Sequence, residues 1–306
     1  MLVLAMLVCF NIGVMAQEIE ATMAPENVKE AETTKVAGET ETTKHTGEVE
    51  TTTKANETET TKPSGETETT TPSENNNGTN TTQPNVRILF VGNSSTYYND
   101  MPQMVKGLAQ ADGVNVTIQA LTAANYKLYQ FADEKDTYGS QLISALKNYK
   151  WDYVILQEQS LVPCTDKEKF IATVRKLCTM ISQVGAKVIL YETWAYRRDS
   201  EKLASTGMTY DEMNRRLSEA YNEAAEATGA VVARVGDVFA RIMNSGNITH
   251  LINQNDNYHP STSGSYLAAC VIFRTITGKQ TIGLPCPSNV SLYNLSVIQK
   301  VTDSFV

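Results

Sequence analysis

From Val86 onward, short apolar runs alternate with amphipathic helical segments, and no other feature constrains the fold as tightly. "VRILFVG" is an apolar run with β-branched residues that ends in glycine, the pattern of a buried strand. "MPQMVKGLAQA" follows with helical spacing and a proline near its start. The alternation recurs as strand "VNVTIQA" and helix "SQLISALKNY", then strand "DYVILQ" and helix "KEKFIATVRKLCTMISQ". It continues as strand "AKVILYE", helix "YDEMNRRLSEAYNEAAEAT" and strand "AVVARV", after which a loop leads to the last helix, "STSGSYLAACVIFRTIT". Five such strands separated by helices predict a parallel sheet covered on both faces. The predicted unit is one α/β domain over residues 85–283. Residues 284–306 have weak apolar periodicity and are expected to form a C-terminal tail packed on the domain surface.

The segment before that domain has a different physics. Residues 17–84 carry a period of nine, with "KEAETTK" at Lys29, "GETETTK" at Gly38, "GEVETTTK" at Gly47, "NETETTK" at Asn56 and "GETETTT" at Gly65. A repeat with no apolar stripe offers little burial to offset chain entropy, so it is expected to be a disordered linker. Thr-rich secreted tracts are commonly O-glycosylated stalks, and sequons begin at Asn56, Asn77 and Asn80. Residues 1–16 form an apolar run ending in Val14-Met15-Ala16, which predicts a signal peptide and a secreted or cell-surface protein. No Lys or Arg precedes that run, which departs from the usual signal pattern. A membrane span needs roughly 20 apolar residues, and no later run reaches that length. The net charge of −8 argues against a nucleic-acid partner, which requires a basic patch. Cys164, Cys178, Cys270 and Cys286 follow the signal segment without a CxxC or CxxH pair, and are read either as disulfide partners or as buried thiols.

In open parallel sheets, ligands bind outside the carboxyl ends of the strands. Gly92, Asn93, Ser94 and Ser95 follow the first strand, and Gln157, Glu158, Gln159 and Ser160 follow the third. Glu192, Thr193 and Trp194 follow the fourth, and "NQNDNYHPSTSG" precedes the last helix. Of three histidines, His45 lies in the repeat, leaving His250 and His259. A serine nucleophile near neutral pH needs a base, usually histidine. Asp256, three residues before His259, is spaced to bond one ring nitrogen and leave the other facing a serine. His250 has no such partner nearby in sequence.

"GNSST" after the first strand, together with "DNYHP" before the last helix, resembles the SGNH/GDSL hydrolase superfamily. More narrowly, "FVGNSSTYYNDMPQM", "KWDYVILQEQS" and "NYHPSTSGSYLAACVIF" resemble a bacterial-type branch with G-N-S in place of G-D-S. The resemblance implies a flavodoxin-like three-layer α/β/α sandwich with about five parallel strands. It also implies that Ser94 attacks an ester carbonyl while Asp256 and His259 complete a catalytic triad, with Ser95 as the rival nucleophile. The family's second-block glycine, whose backbone N–H holds the oxyanion, falls in "LTAANYKL" at Ala124 or Asn125. Asparagine tolerates positive φ better than alanine, which favours Asn125. The family's third block donates a side-chain amide, and here "LQEQS" offers Gln157 or Gln159; strand alternation places both on one side. The oxyanion set is thus Ser94, Asn125, Gln157 and Gln159.

Asn93, Glu192 and Trp194 are candidate substrate contacts, since an aromatic face suits a sugar ring; strand-end packing is the competing reading for the last two. Neither a metal site nor a nucleotide cofactor is expected, because ligand spacings and glycine-rich phosphate loops are missing. The expected activity is a secreted serine esterase that removes short acyl groups, such as acetyl, from a carbohydrate. The alternatives are a non-catalytic glycan- or surface-binding module, supported by the altered second and third blocks, and a lipid esterase or thioesterase.

Overall fold

The computed structural model describes residues 85–306 except Thr249. The signal-peptide and linker expectations therefore lie outside the described residues. Five strands form one all-parallel sheet: β1 (Val86–Gly92), β2 (Val116–Thr122), β3 (Tyr153–Leu156), β4 (Lys187–Tyr191) and β5 (Val231–Ala233), ordered β2-β1-β3-β4-β5. Around them run helices α1 (Ser94–Tyr97), α2 (Met101–Ala111), α3 (Leu128–Phe131), α4 (Thr137–Asn148), α5 (Val162–Thr165) and α6 (Lys167–Ser182). The series continues with α7 (Glu201–Ala204), α8 (Tyr210–Thr228), α9 (Val235–Ser245), α10 (Thr262–Thr277) and α11 (Leu292–Phe305).

Strand alternation divides the core into two layers. Ile88 and Phe90 of β1 pack with α2, α9 and α10, while Leu89 and Val91 face the cluster built by α4, α6 and α8. Both faces are covered, so β1 is a nearly continuous apolar run rather than an alternating one. This is the three-layer α/β/α sandwich in the flavodoxin-like strand order. Strand order reverses between β2-β1 and β1-β3, and the loops after β1, β2 and β3 meet at that switch point.

Two segments differ from their sequence expectations. The stretch after the fifth strand, expected as a loop, contains α9, whose buried Val235, Val238, Phe239 and Ile242 form an i, i+3, i+4, i+7 stripe. Those residues directly follow the β-branched "AVVA", and the strand signal masked the start of the helical one. The expected surface tail contains α11, which packs on α9 and α10 with Ile298, Gln299 and Thr302 buried. Two of those three are polar. Gln299 is satisfied by donating to the Tyr266 hydroxyl at 2.9 Å and to the Leu284 carbonyl at 2.8 Å, and these buried polar positions weaken the apolar signature of Leu295, Ile298 and Val301 on the same helix. All four cysteines after the first strand are free thiols; Cys164 and Cys270 are buried.

Candidate active site

The chain leaves β1 at Gly92, where a side chain is excluded: a Cβ there would sit 2.6 Å from Gln157 Oε1 and 2.7 Å from Thr96 Oγ1. Asn93 then caps α1, its side-chain oxygen accepting the Ser95 N–H at 3.1 Å while its amide donates to the Tyr126 carbonyl at 2.8 Å. Ser94 is the first helical residue. The turn rests on Gln157, whose Oε1 accepts from the Asn93 N–H at 2.9 Å and from the Thr96 hydroxyl at 2.9 Å.

His259 arrives from the opposite side, in the loop between α9 and α10. Its Nε2 lies 2.8 Å from Ser94 Oγ, and its Nδ1 lies 2.9 Å from Asp256 Oδ2. Asp256 Oδ1 also accepts the backbone N–H groups of Tyr258 at 3.0 Å and His259 at 2.9 Å. Burial pushes the Asp256 carboxyl up, but the Tyr258 N–H and the bonds from His259 outweigh it and hold the carboxyl below its ordinary value. The loop is closed by Asn257 at φ 66°, by an isolated antiparallel bridge between Ile252 and Pro260, and by Trp194 Nε1 donating to the Tyr258 carbonyl at 2.9 Å. Tyr98 stacks on the imidazole with ring centres 4.1 Å apart and planes 6° from parallel. Asn99 Nδ2 fastens that segment to the Pro260 carbonyl at 3.1 Å and to Ser265 Oγ at 2.9 Å.

A small cleft of about 30 Å³ opens at Ser94, with Asn125, Gln159, Tyr196 and Tyr258 on its walls. Asn125 adopts φ 58°, the left-handed conformation that asparagine tolerates. Among the described residues, the backbone N–H groups of Ser94 and Asn125 donate to no protein acceptor. Gln159 Oε1 accepts the Leu161 N–H at 3.0 Å, which fixes the amide. Burial pushes the Tyr196 hydroxyl up to about 12, partly countered by the nearby Gln159 side chain. A larger groove of about 510 Å³ lies between α2, α10 and residues 285–289, and none of the three relay residues lines it.

Several expected site residues are placed elsewhere. Gln157 is no oxyanion donor: its amide nitrogen donates to the Glu158 carbonyl at 2.6 Å and its oxygen is spent beneath the turn. β3 ends at Leu156, so strand alternation no longer governs residues 157–159, and the two glutamines part company. Glu192 is buried below α9, where its carboxylate accepts the Asp237 N–H at 3.0 Å. Trp194 is buried and stacks on Phe239 with centres 4.4 Å apart, so it supports the histidine loop rather than a ligand. Asn93 borders the cleft, but both ends of its amide are engaged within the protein. Ser95 also borders the cleft; Ser94 is the serine at the imidazole. His250 is exposed and pairs with the Gln254 side chain. Sequence reasoning missed the contacts of Thr96, Tyr98, Asn99, Glu158 and Tyr196. For Tyr98 and Asn99 the available signal was "YYND" directly after the nucleophile turn. Among the described residues, no group of three His, Cys, Asp or Glu side chains is placed to hold a metal ion, and no helix is long and apolar enough to cross a membrane.

A serine, a histidine and an aspartate in one hydrogen-bonded relay, at the carboxyl edge of a three-layer α/β/α sandwich, define a hydrolase-type site. No family model and no curated protein matches the sequence. Among solved structures, a Slackia heliotrinireducens protein described as a candidate SGNH hydrolase is 34% identical, covering 63% of this chain and 100% of that one at a TM-score of 0.57. A DUF4886 family protein from Bacteroides uniformis shares the fold at a TM-score of 0.63 and 19% identity, over 72% of this chain and 94% of that one. The chain belongs to the SGNH hydrolase superfamily.

Proposed function

We propose that this protein is a secreted serine esterase that removes short acyl groups, with acetyl on a carbohydrate as the preferred substrate class. Ser94 Oγ attacks the acyl carbonyl while His259 Nε2 takes its proton. Asp256 holds the proton on Nδ1 and stabilises the imidazolium. The oxyanion receives the N–H groups of Ser94 and Asn125 and the side-chain amide of Gln159. His259 then protonates the leaving alcohol, and a water deprotonated by the same imidazole releases the acid.

The observation that carries this reading is the relay itself, closed at 2.8 Å and 2.9 Å across a 165-residue separation. Cleft size supports the short acyl group. A space of about 30 Å³ holds only a few water-sized centres, which favours a short acyl group over a fatty chain. Tyr196 and Tyr258 on the cleft wall offer aromatic faces of the kind sugar rings prefer for the alcohol portion. The expected outcome is that Ser94→Ala and His259→Ala each lower turnover of p-nitrophenyl acetate by about 10⁴-fold or more. A fluorophosphonate should label Ser94 in the wild type alone, and p-nitrophenyl octanoate should be a poor substrate. Unchanged hydrolysis in Ser94→Ala sinks the serine assignment, and efficient octanoate cleavage sinks the short-acyl one.

A further inference from the structure

The two outer oxyanion donors come from different loops. Asn125 lies between β2 and α3, and Gln159 lies beyond the end of β3. Two loops that must present donors to a single oxygen atom need a connection, and Glu158 supplies one. It is buried, and its Oε1 accepts the Gln159 N–H at 2.7 Å and the Leu128 N–H at 3.1 Å. Leu128 is the first residue of α3, three positions beyond Asn125. The other oxygen, Oε2, lies 3.3 Å from the same Leu128 N–H.

We infer that Glu158 is the positioning residue of the oxyanion site: its Oε1 joins the Asn125 loop to the Gln159 loop and fixes the spacing of their donors. This rests on the reading above that Asn125 and Gln159 hold the oxyanion. One oxygen atom does the joining, so what the site needs from residue 158 is an acceptor at the right reach. Burial pushes the Glu158 carboxyl up to about 7, partly countered by bonds from the Gln159 and Leu128 N–H groups and by the charges of Lys127 and Lys169. The Tyr221 hydroxyl is a further neighbour. A carbonyl-type oxygen accepts in either protonation state, so the bridge survives neutralisation and an amide is an adequate replacement. Methionine has similar length and no comparable acceptor, and aspartate retains the charge but falls one methylene short.

Steady-state kinetics with p-nitrophenyl acetate test the inference, since a misplaced oxyanion donor lowers kcat far more than it changes KM. Glu158→Gln should keep kcat within about threefold of wild type. Glu158→Met should lose about 10- to 100-fold in kcat with KM little changed, and Glu158→Asp should fall between them. The decisive comparison is the double variant with Gln159→Ala. If Glu158 acts by placing Gln159 and its partner donor, the Met substitution costs less in the Gln159→Ala background than alone. Full multiplicativity of the two losses overturns the inference, as does a wild-type kcat in Glu158→Met. Should Glu158→Met not fold, a wild-type kcat in Glu158→Asp overturns it equally. Wild-type turnover and its loss in Ser94→Ala are measured first. Their failure rejects the esterase reading, whereas their success with an unaffected Glu158 series rejects only the bridge.

Discussion

Ser94 stands on a turn whose supports are buried side chains of the sheet's carboxyl edge: Asn93, Thr96 and Gln157. His259 stands on a loop between two helices, held largely by backbone bonds and by Asp256, whose side chain is 28% exposed. The nucleophile is thus anchored on buried side chains, whereas the carboxylate that orients its base stands closer to solvent. Removing a support from the first region should damage the fold together with the chemistry. A change in the second should damage the chemistry alone.

The largest expected effect breaks the relay from the loop side. Asp256→Asn should lower kcat by about 10³- to 10⁴-fold, because an amide no longer enforces the imidazole tautomer that can accept the serine proton. Its melting temperature should barely move; a large drop would show that the loop is as structural as the turn. A smaller catalytic effect with a larger structural one is expected from Gln157→Met. That change strips a buried acceptor from the Asn93 N–H and the Thr96 hydroxyl, each worth about 1–3 kcal/mol when left unpaired. Calorimetry should show a fall of about 2–4 °C per kcal/mol lost, and equal stability to wild type would remove the contrast.

The smallest effect sharpens the comparison through pH. Burial pushes Glu192 up to about 8 and Glu158 up to about 7, from a usual value of 4.5. The folded chain therefore holds protons on these acids that the unfolded chain has released. Their contribution is full below about 4.5 and is lost as pH rises through 7 and 8. Asp256 is held below its ordinary value, so its contribution has the opposite sign: present above the ordinary carboxylate range and lost as pH falls. Melting curves should show stability declining from pH 5 to pH 9, and Glu192→Gln should flatten that slope. A rising curve over that window would contradict the assignment of buried, proton-holding acids.

How much of this was legible in the sequence follows from the range of the interactions. The strands and most of the major helices are written in local periodicity, because burial on a sheet face or a helix stripe repeats every two or every 3.6 residues. Met101–Ala111 and Tyr210–Thr228 carry that signal from end to end. Ser94, Asp256 and His259 were readable because strand ends, a three-residue Asp–His spacing and a family pattern converge on them. The roles of Gln157 and Glu158 were not. Each depends on partners 30 to 64 residues away, across a chain segment that had already left the strand and its alternation. For Trp194 the sequence left a ligand contact and strand-end packing both open, because an indole at a strand end has the same local context in either case; it packs, on Phe239.

The unpaired cysteines carry a consequence for how the protein is made. With Cys270 buried inside α10 and its thiol pushed up by burial, and with Cys164 pushed up to about 12, neither offers a thiolate to an oxidant at neutral pH. The domain owes none of its stability to a covalent cross-link. With no disulfide among the described residues, the same architecture should form without an oxidase or an isomerase.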